Sequence, residues 1–504
     1  MIKFDFSGLF ILDMANNHKG KLEVGRRIVS EFAPVIQEAG VRCAIKFQFR
    51  QMETLAHPDF QEKGKHKYID YFKENNLSEK EFGIVARDIK EAGMITMATP
   101  FDEESVGMIE RLGIDVIKIA SCSANDWPLL ERIVKAGKPV VCSTGGLGIK
   151  EVDDIVSFFD LKNIDYALMH CVAIYPTPND KLNLGRIKVF AERYPHLIIG
   201  FSTHEEPANT AVIKVARAMG ASLFERHIGI KGGGLDLNAY SSTPEQIGEW
   251  LDSHKEAVKM SRADVFPDDP DEKKSLETFM RGVYAKKNIK KGDKIFLEDV
   301  FFAMPFQEGQ APSSKWQDGL VADKDYKINE MLSVSVCPAV FSKKQIINRI
   351  IRQAKAMLNM ANIHLGHETE VELSHHYGIE NFYEAGAVLI TCIDTPNYCK
   401  KIMMLLPGQK KHPVHHHRVK IETFQVLWGE LTVIVNGAEK VCLPGEILHM
   451  PRGVWHGFST KDGVIFEEVS TPPAPGDSYY KDKNIAKTYE ARKTKLMNWH
   501  YYGD

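Results

Sequence analysis

The stretch MITMATPFDEESVGMIERLGIDVIKIAS, residues 94–121, shows the pattern that decides the fold. A short apolar run, Met94–Ala98, is followed by an amphipathic segment, Glu103–Leu112, and then by a second apolar run, Val116–Ala120. Gly113 follows the amphipathic segment, as glycine often does because it can take the left-handed conformation at a helix end. The stretch therefore predicts a strand–helix–strand unit.

The same pattern recurs along the first half of the chain. Eight apolar runs typical of strands lie at Leu9–Leu12, Cys43–Phe49, Met94–Ala98, Val116–Ala120, Val140–Ser143, Tyr166–Cys171, Leu197–Phe201 and Ser222–Glu225. Further amphipathic segments lie at Glu23–Ala39, Glu79–Ala92 and Ala208–Met219. Eight strand–helix units in about 250 residues predict an α/β fold, the (β/α)8 TIM barrel. A doubly wound sheet is disfavoured because no GxGxxG follows the first strand.

Composition is that of an ordinary globular protein. The 504 residues include 64 Lys and Arg against 67 Asp and Glu, and the net charge of -3 gives no reason to expect a nucleic acid partner. The sequence has no apolar run of about 18 residues and no N-terminal signal pattern, so we expect no membrane contact. Eight cysteines without a CxxC pair favour a reducing compartment, and we expect a cytoplasmic protein.

Changes in composition divide the chain into three predicted domains. The charged, proline-broken stretch after Val265 is typical of a linker and ends a barrel domain at residues 1–265. Residues 276–340 form a predicted small β-rich domain. Residues 355–504 contain recurrent short strands with glycine and proline turns, which predict a small antiparallel β-barrel.

Polar side chains follow the predicted strands of the (β/α)8 domain. Because the active site of a TIM barrel lies at the carboxyl ends of its strands, these side chains are candidates for substrate contacts. They are Asn17, Lys46, Gln48, Thr99, Lys118, Ser121, Ser143, Tyr175, Ser202, His204 and His227. Lys46 and Lys118 stand in apolar runs, and a buried ammonium needs an anionic partner, which a phosphate or carboxylate ligand would supply. Lysines that reach solvent are the alternative.

Three side chains, His204 and His227 from this set and Asp236 beyond the last strand, suggest metal or sugar binding at the same end of the barrel. His204 and His227 follow adjacent predicted strands, so both could ligate one divalent ion that polarises a carbonyl oxygen. Two hydrogen-bonded core histidines are the alternative. Asp236, in a glycine-rich string, could contact a sugar or a metal-bound water from a loop, or could be a solvated carboxylate.

Seven strings in the predicted barrel resemble, in order and spacing, the sialic acid (N-acetylneuraminate) synthase family. They are NNHKG (16–20), IKFQ (45–48), IKIAS (117–121), STGG (143–146), HCVAIYPTP (170–178), GFSTH (200–204) and ERH (225–227). The resemblance covers residues 8–245. It implies the condensation of phosphoenolpyruvate with an aldose to a 3-deoxy-2-ulosonic acid and phosphate, with manganese or magnesium. It would place Lys46, Lys118, Ser121, Ser143 and Ser202 around phosphoenolpyruvate and His204 and His227 on the metal.

The resemblance extends to residues 276–340, which look like the family's antifreeze-like (SAF) domain. In that family this domain is normally swapped across a homodimer and caps the partner's barrel. Two departures bear on the sugar: the family often has a glutamate where this chain has Lys19, and an arginine that reaches the N-acetyl group where this chain has Met304. We therefore expect an acceptor other than a standard N-acetyl sugar.

Histidines concentrate near the C-terminus, where ten of the 19 lie within residues 364–456. The strings HHHRVKIETFQVLWG (415–429) and GEILHMPRGVWH (445–456) resemble the two cupin motifs. The predicted metal ligands are His415, His417, Glu422 and His456. Because side chains alternate along a strand, His415 and His417 face the same side, and the mixed set suits Mn, Fe, Ni or Zn. Cupins of this kind include sugar isomerases or epimerases and sugar sensors, and both roles stay open.

Two functions of different class follow. The first is a phosphoenolpyruvate-dependent ulosonate synthase, a transferase, with a cupin that is an isomerase or a regulator. The second is a sugar-binding regulatory protein without catalysis. Lys46, Lys118, His204 and His227 favour the synthase. Related 3-deoxy-heptulosonate synthase chemistry on a phosphorylated aldose is a third possibility, disfavoured by the likeness to the antifreeze-like domain.

Overall fold

A computed structural model of the chain describes residues 3–232, 235–261, 269–336, 342–366, 368–409, 411–472, 474, 476–485 and 492–499. The chain divides into two compact units, residues 1–267 and 268–504. Cys337, His367 and the predicted domain ends at 265, 340 and 504 lie outside the described residues, and the three-domain boundaries stay predictions. Within the described ranges, no helix has both the length and the apolar character needed to cross a membrane.

The first unit confirms the predicted TIM barrel. Eight parallel strands close in sequence order, because β8 pairs with β1. The strands are β1 Leu9–Asp13, β2 Arg42–Phe49, β3 Ile95–Pro100, β4 Val116–Ile119, β5 Val140–Ser143, β6 Tyr166–Cys171, β7 Ile199–Thr203 and β8 Leu223–His227. The helices are α1 Leu22–Ala39, α2 Met52–Leu55, α3 Lys67–Glu74, α4 Glu79–Glu91, α5 Glu103–Arg111, α6 Trp127–Lys135, α7 Ile149–Lys162, α8 Gly185–Arg193, α9 Ala211–Ala218 and α10 Pro244–Met260.

Helix boundaries in this unit follow local signals. α4 begins after Ser78, whose hydroxyl accepts the backbone N–H of Glu81 while the Glu81 carboxylate accepts the backbone N–H of Ser78. α5 begins after Asp102, whose carboxylate accepts the backbone N–H of Ser105 at 2.8 Å. These caps satisfy backbone donors that a helix leaves without an internal partner.

The interior of the barrel is layered because side chains alternate along each strand. An apolar layer at the floor consists of Phe6, Leu9, Ile11, Ala44, Met97, Val116, Val141, Ala167, Met169 and Leu223. Two residues further along several of these strands, the series becomes polar: Asp13, Lys46, Thr99, Lys118, Ser143 and Glu225. All six are buried. The strand period therefore stacks a charged layer directly on the apolar floor.

The second unit begins with small antiparallel pairs. Helix α11 Pro270–Glu277 precedes β9 Gly282–Ala285, β10 Lys294–Ile295, β11 Val300–Ala303 and β12 Leu320–Val321. β9 pairs with β11, and β10 pairs with β12. A compact apolar cluster that includes Val283, Ile295 and Tyr326 supports these short strands.

The rest of the second unit confirms a C-terminal β-rich fold. It contains α12 Lys343–Met360, β13 Glu370–Ser374, α13 Phe382–Ala385, β14 Ala387–Asp394, β15 Cys399–Leu405, β16 His415–His417, β17 Glu422–Gly429, β18 Leu431–Val435, β19 Ala438–Cys442, β20 Ile447–Met450, β21 His456–Ser459, β22 Val464–Ser470, β23 Ser478–Tyr480 and β24 Lys493–Leu496. One sheet has the order β20-β17-β22-β15-β14-β13-β24 and the other β19-β18-β21-β16-β23.

Helix α12 spans the predicted start of the third domain at residue 355. Its buried residues Ile350 and Ile351 belong to the same apolar cluster as Val371 of β13 and Ile390 of β14. The helix thus packs with the C-terminal sheet, and the hydrophobic cluster begins before the residue at which composition alone suggests a boundary.

Candidate functional sites

The carboxyl ends of the barrel strands enclose a cavity of about 600 Å³. Eleven of the twelve predicted barrel residues line it: Asn17, Lys46, Gln48, Thr99, Lys118, Ser121, Ser143, Tyr175, Ser202, His204 and His227. Asp236 is exposed and is not among the lining residues, so its contact with a sugar or a metal-bound water remains a prediction without support from its position.

Lys46 lies at the bottom of this cavity inside a network of charges. Its Nζ lies 2.9 Å from Asp13 Oδ2 and 2.8 Å from Glu225 Oε1, and it donates a hydrogen bond of 3.2 Å to Thr99 Oγ1. Burial opposes the charged form of Lys46, but Asp13 and Glu225 raise its pKa above the usual value. Lys46 therefore stays protonated in a site shielded from water.

Lys118 completes the network from β4. Its Nζ lies 3.3 Å from Glu225 Oε2 and donates to Ser143 Oγ at 2.6 Å. Burial acts to raise the pKa of Glu225, but Lys118 and Lys46 hold it well below the usual range. Two lysines and two carboxylates thus neutralise each other at the floor.

The anionic partners of the two lysines were only partly foreseen. Sequence reasoning assigned this role to a ligand, whereas Asp13 and Glu225 supply carboxylates from β1 and β8. A carboxylate at the end of an apolar run, as in LFILD (9–13), indicates a buried charge that needs a partner, just as a lysine in such a run does. That signal would have found Asp13.

His204 and His227 lie side by side at the ends of β7 and β8, with ring centroids 5.3 Å apart. His204 Nδ1 donates to the carbonyl oxygen of Val172 at 2.9 Å, which leaves Nε2 with its lone pair. Burial and the neighbouring His227 lower the pKa of His204 to about 3, and burial also lowers that of His227. Both imidazoles are therefore neutral near pH 7, the form that binds metals, and the pair fits one divalent ion.

Aromatic rings lie beside these histidines. The ring of Tyr175 is centred 4.2 Å from that of His204, and the ring of Tyr240 is 5.2 Å from that of His227. Burial raises the pKa of Tyr175, so its hydroxyl keeps its proton and can donate a hydrogen bond. Tyr240 lines the cavity but follows no strand, so the search for polar strand ends did not find it.

A second cavity, of about 290 Å³, lies in the C-terminal fold and is lined by all four predicted ligands, His415, His417, Glu422 and His456. Ligand atoms of the three histidines lie within 4.8 Å of one another. Across the described parts of the chain, no other group of three or more His, Cys, Asp or Glu side chains meets in this way.

The three histidines are held in one tautomer by the backbone. Each Nδ1 faces a carbonyl oxygen, which can only accept a hydrogen bond, so the proton is on Nδ1 and Nε2 is left with its lone pair. The carbonyls are those of Pro413, Asp477 and Val454, at 3.0, 2.8 and 3.0 Å from His415, His417 and His456. Such second contacts orient imidazoles toward a metal.

Glu422 closes the set. Its Oε1 lies 3.3 Å from His417 Nε2, and its Oε2 lies 3.1 Å from His456 Nε2. Burial acts to raise the pKa of Glu422, but the charge of Lys420, which donates to Oε1 at 2.6 Å, holds it well below the usual range. A buried carboxylate and imidazole lone pairs that face each other repel unless a cation lies between them, so the residues present fit a transition metal.

Other histidines, aromatic residues and a glutamate near these strands differ in whether they reach the cavity. Glu372, His376 and Phe458 line it, and so does His412, which motif reasoning did not single out. His375, Tyr377, Trp428 and Trp455 are not among its lining residues. His416 faces away from the ligands, where its ring packs against Trp455 and Tyr479 at 4.3 and 5.1 Å.

Gly429 shows why the first histidine motif ends in glycine. Its φ is 79°, and a Cβ atom there would lie 2.3 Å from the carbonyl oxygen of Gly463. Only glycine combines that backbone conformation with such a close approach of two chains.

These observations define a TIM-barrel protein with a polar cavity at its strand ends and a C-terminal fold that carries a candidate metal centre. Known families match both parts: the NeuB family matches residues 34–263, and the cupin domain matches residues 401–470. An uncharacterized protein of Methanocaldococcus jannaschii is 32% identical over 296 residues, which cover 57% of this chain and 82% of that protein. The chain belongs to the NeuB family and carries a cupin domain.

The chain is also similar to a solved bacterial structure and to a human enzyme. A crystal structure of a Chromobacterium violaceum protein assigned to spore coat polysaccharide biosynthesis, protein E, has 37% sequence identity and a TM-score of 0.62, and covers 65% of this chain and 98% of that one. N-acetylneuraminate-9-phosphate synthase of Homo sapiens is 28% identical over 225 residues, 43% of this chain and 61% of the human protein. The predicted family and the cupin are confirmed, while the antifreeze-like identity of residues 276–340 stays a prediction.

Proposed function

We propose that the barrel condenses phosphoenolpyruvate with an aldose to give a 3-deoxy-2-ulosonic acid and phosphate. The observation that carries this proposal is the buried pair Lys46 and Lys118 at the floor of a cavity of about 600 Å³. Asp13 and Glu225 fix the two ammonium groups on the apolar floor, where they can donate charge-assisted hydrogen bonds to a small anionic substrate, and the histidine pair beside them suits activation of a carbonyl group. The name of the human relative, an N-acetylneuraminate-9-phosphate synthase, supports this chemistry.

Phosphoenolpyruvate would bind at the floor. Lys118 lies 2.6 Å from Ser143 Oγ, and Ser121 and Ser202 line the same cavity, so hydroxyl donors surround the ammonium groups. The carboxylates Asp13 and Glu225 hold both lysines in place before substrate arrives. The phosphate and carboxylate of the substrate would then meet preorganised donors.

The aldose would bind above, with its aldehyde beside His204 and His227. A manganese or magnesium ion held by these histidines would polarise the carbonyl oxygen. C3 of phosphoenolpyruvate attacks C1 of the aldose, forming the new C–C bond, and the aldose oxygen takes up a proton. Tyr175, next to His204, is placed to donate a hydrogen bond to that oxygen. Water adds at C2, and phosphate leaves by C–O cleavage.

The other parts of the chain would serve this reaction. The cupin would bind a second transition metal, Mn, Fe, Ni or Zn, through His415, His417, Glu422 and His456, and act on a sugar as an isomerase or epimerase, or sense it. Residues 276–340 would be an antifreeze-like domain that is swapped in a homodimer. Light scattering at twice the mass of one chain would support the dimer, and a monomer would exclude the swap.

Phosphate release from phosphoenolpyruvate, screened over aldoses of four to six carbons with manganese present, tests the synthase. Lys118→Met should lower kcat/KM about 1,000-fold or more, because the lost cation faces charge that must be stabilised throughout the reaction. Lys135→Met, on the exposed side of α6, is the matched control and should leave the rate unchanged.

The opposite result has a definite meaning. If no aldose releases phosphate from the wild-type protein, the synthase proposal is wrong. Sugar binding without turnover, measured by calorimetry on the same panel, would then favour a sugar-binding regulatory protein.

A further inference from the structure

The barrel cavity carries more positive charge than its own carboxylates balance. Five cations line it: Lys19, Lys46, Arg50, Lys67 and Lys118. The two lining carboxylates, Asp13 and Glu225, both pair with the lysines at the floor. In the part of the chain that the structure describes, no carboxylate oxygen lies within the 4.0 Å ion-pair distance of Lys19, Arg50 or Lys67. The mouth of the cavity therefore has an excess of three positive charges.

Arg50 is the most firmly held of these cations. Its guanidinium carbon lies 4.0 Å from the ring centroid of Phe72 and 3.8 Å from that of Phe101. Its Nη2 donates to Gln48 Oε1 at 2.8 Å, and its Nη1 donates to Asn16 Oδ1 at 3.4 Å. Packing against two rings together with two hydrogen bonds fixes both the position and the plane of the guanidinium.

The fixed guanidinium still has donors to offer. A guanidinium has five N–H groups, and the hydrogen bonds to Gln48 and Asn16 use two of them. Rings that pack on its faces do not compete for the others, because the N–H bonds lie in its plane. A preorganised arginine of this kind is suited to a carboxylate or phosphate group, which can accept two parallel hydrogen bonds.

Arg50 lies on the acceptor side of the cavity. Lys46, Gln48 and Arg50 are alternate residues of one extended segment, so each step moves about 7 Å toward the mouth. Lys46 belongs to the floor, where phosphoenolpyruvate would bind, and Arg50 lies one layer above it, separated from the floor by the Gln48 amide, which donates to Asp13 Oδ2 at 3.0 Å and accepts from Arg50 at 2.8 Å. A group bound there would be at the end of the aldose remote from its aldehyde.

We propose that Arg50 binds an anionic group, a carboxylate or a phosphate, at the remote end of the acceptor aldose, and that this residue selects an acidic acceptor. The inference rests on the proposed synthase reaction, since it names the substrate class of that site. Lys19 and Lys67 add positive charge that attracts the same group. The acceptor would be an aldose phosphate or a uronate.

The test pairs each neutral aldose of the panel with its terminal phosphate ester and its uronic acid. With wild-type protein, kcat/KM for at least one acidic form should exceed that for the neutral sugar by about 50-fold or more, the effect of charge-assisted hydrogen bonds. The two acidic forms distinguish phosphate from carboxylate recognition. In Arg50→Met that preference should shrink by about 50-fold, and Arg50→Lys should restore part of it. Arg87→Met, on the exposed side of α4, should keep the full preference.

Three outcomes would overturn the proposal. The first is an equal kcat/KM for neutral and acidic aldoses. The second is an equal loss of both rates in Arg50→Met. The third is a rise in KM for phosphoenolpyruvate in Arg50→Met as large as the rise in KM for the aldose, which would place Arg50 on the first substrate. If no aldose turns over, the synthase proposal fails, and calorimetric titration of the same sugar pairs decides. An acidic preference lost in Arg50→Met would then support the anion site, and no preference would exclude it.

Discussion

The barrel cavity and the cupin cavity both bring buried histidines together at strand ends, but they balance their charges differently. At the barrel floor, Lys46 and Lys118 are neutralised by Asp13 and Glu225, so the protein satisfies its own charges. In the cupin, buried polar atoms face each other without a hydrogen bond: His456 Nε2 and Glu422 Oε2 lie 3.1 Å apart, and neither has a hydrogen-bond partner among the described residues.

This difference in charge balance indicates that the cupin site needs a bound ligand for stability and that the barrel floor does not. A charged network that is complete without a ligand can be preorganised for a substrate that comes and goes. In the cupin, Lys420 pairs with Glu422 Oε1, but Glu422 Oε2 faces the lone pair of His456 Nε2, and buried polar atoms without a partner cost free energy that a bound cation would offset. The cupin set should therefore bind its metal tightly and permanently, whereas the barrel floor stands without one.

Removal of a cupin ligand should give the largest effect. His417→Ala deletes an imidazole that the backbone already orients, and the transition metal bound to the dialysed protein should fall by about one equivalent relative to the wild-type protein, measured by elemental analysis. His416→Ala is the matched control, because the neighbouring ring faces Trp455 and Tyr479 instead of the ligands. Its metal content should equal that of the wild-type protein.

The same variant separates the two cavities. Phosphate release by the barrel should persist in His417→Ala when aldose is supplied directly, because the barrel floor is complete without the cupin. Metal retained in His417→Ala would contradict the proposed ligand set, and simultaneous loss of turnover would show that the two sites are not independent.

A buried ion pair formed by the chain neighbours of the barrel histidines should give the next largest effect. Arg226 and Glu205 are each 1% exposed, and Arg226 Nη2 lies 3.4 Å from Glu205 Oε1. Each is a chain neighbour of a candidate metal ligand, His227 or His204. Arg226→Met leaves Glu205 buried without its cation, so the free energy of unfolding should fall by about 3 kcal/mol or more, measured by chemical denaturation of the barrel.

An exposed ion pair provides the matched control. Arg193 makes two 2.7 Å hydrogen bonds to Asp153 on the surface. Arg193→Met should reduce the free energy of unfolding by less than about 1 kcal/mol, because water screens the exposed charges. Equal losses in the two arginine variants would mean that burial of the Glu205–Arg226 pair has no special role in the barrel.

The smallest predicted effect is a dependence of the free energy of unfolding on pH, caused by His18 in the barrel. Burial, and then the charge of Lys19, lower the pKa of His18 from 6.5 to about 4 in the folded protein. Between these two pH values the unfolded chain binds more protons than the folded one, so the free energy of unfolding falls as pH decreases through this window. From pH 6.5 to pH 5 the loss from this group is about 1.5 kcal/mol.

A substitution isolates this contribution. His18→Gln should flatten the dependence of unfolding free energy on pH between 6.5 and 5, while the carboxylates of the floor add their own acid sensitivity at lower pH. His57→Gln is the control: Nδ1 of His18 accepts the backbone N–H of Gly20, and Nδ1 of His57 accepts that of Asp59 in the same way, but His57 is exposed. A slope unchanged by His18→Gln would contradict the assignment.

Much of the fold follows from local patterns. Each of the eight predicted barrel runs overlaps one of the strands β1–β8, and α1, α4, α5 and α9 lie where amphipathic segments are predicted. Short periodic patterns and capping residues act over a few neighbours, so sequence reveals them. Helix α12 was not predicted, although its sequence has the same local signals, a capping pair of Ser342 and Gln345 and apolar residues at helical spacing.

The candidate sites show what local sequence patterns reveal and what they miss. His415, His417, Glu422 and His456 were predicted because a motif carries three of them within eight residues and the fourth follows on a partner hairpin. In the barrel, motif and strand-end reasoning found the lysines and histidines but not their counter-charges. Nothing local connects Asp13 of β1 with Lys46 of β2 and Glu225 of β8.

Strand period and motif spacing are local properties, so the amino-acid sequence alone predicts the (β/α)8 barrel with lysines and histidines at its strand ends. For the same reason it predicts the cupin with three histidines and one glutamate as candidate metal ligands. The tertiary structure shows that the floor lysines are neutralised from within, that Asp236 is not among the residues lining the cavity, and that Arg50 lies between two aromatic rings. Closure of the barrel brings side chains about 200 residues apart into contact, and the energies of charges depend on such distances and on burial.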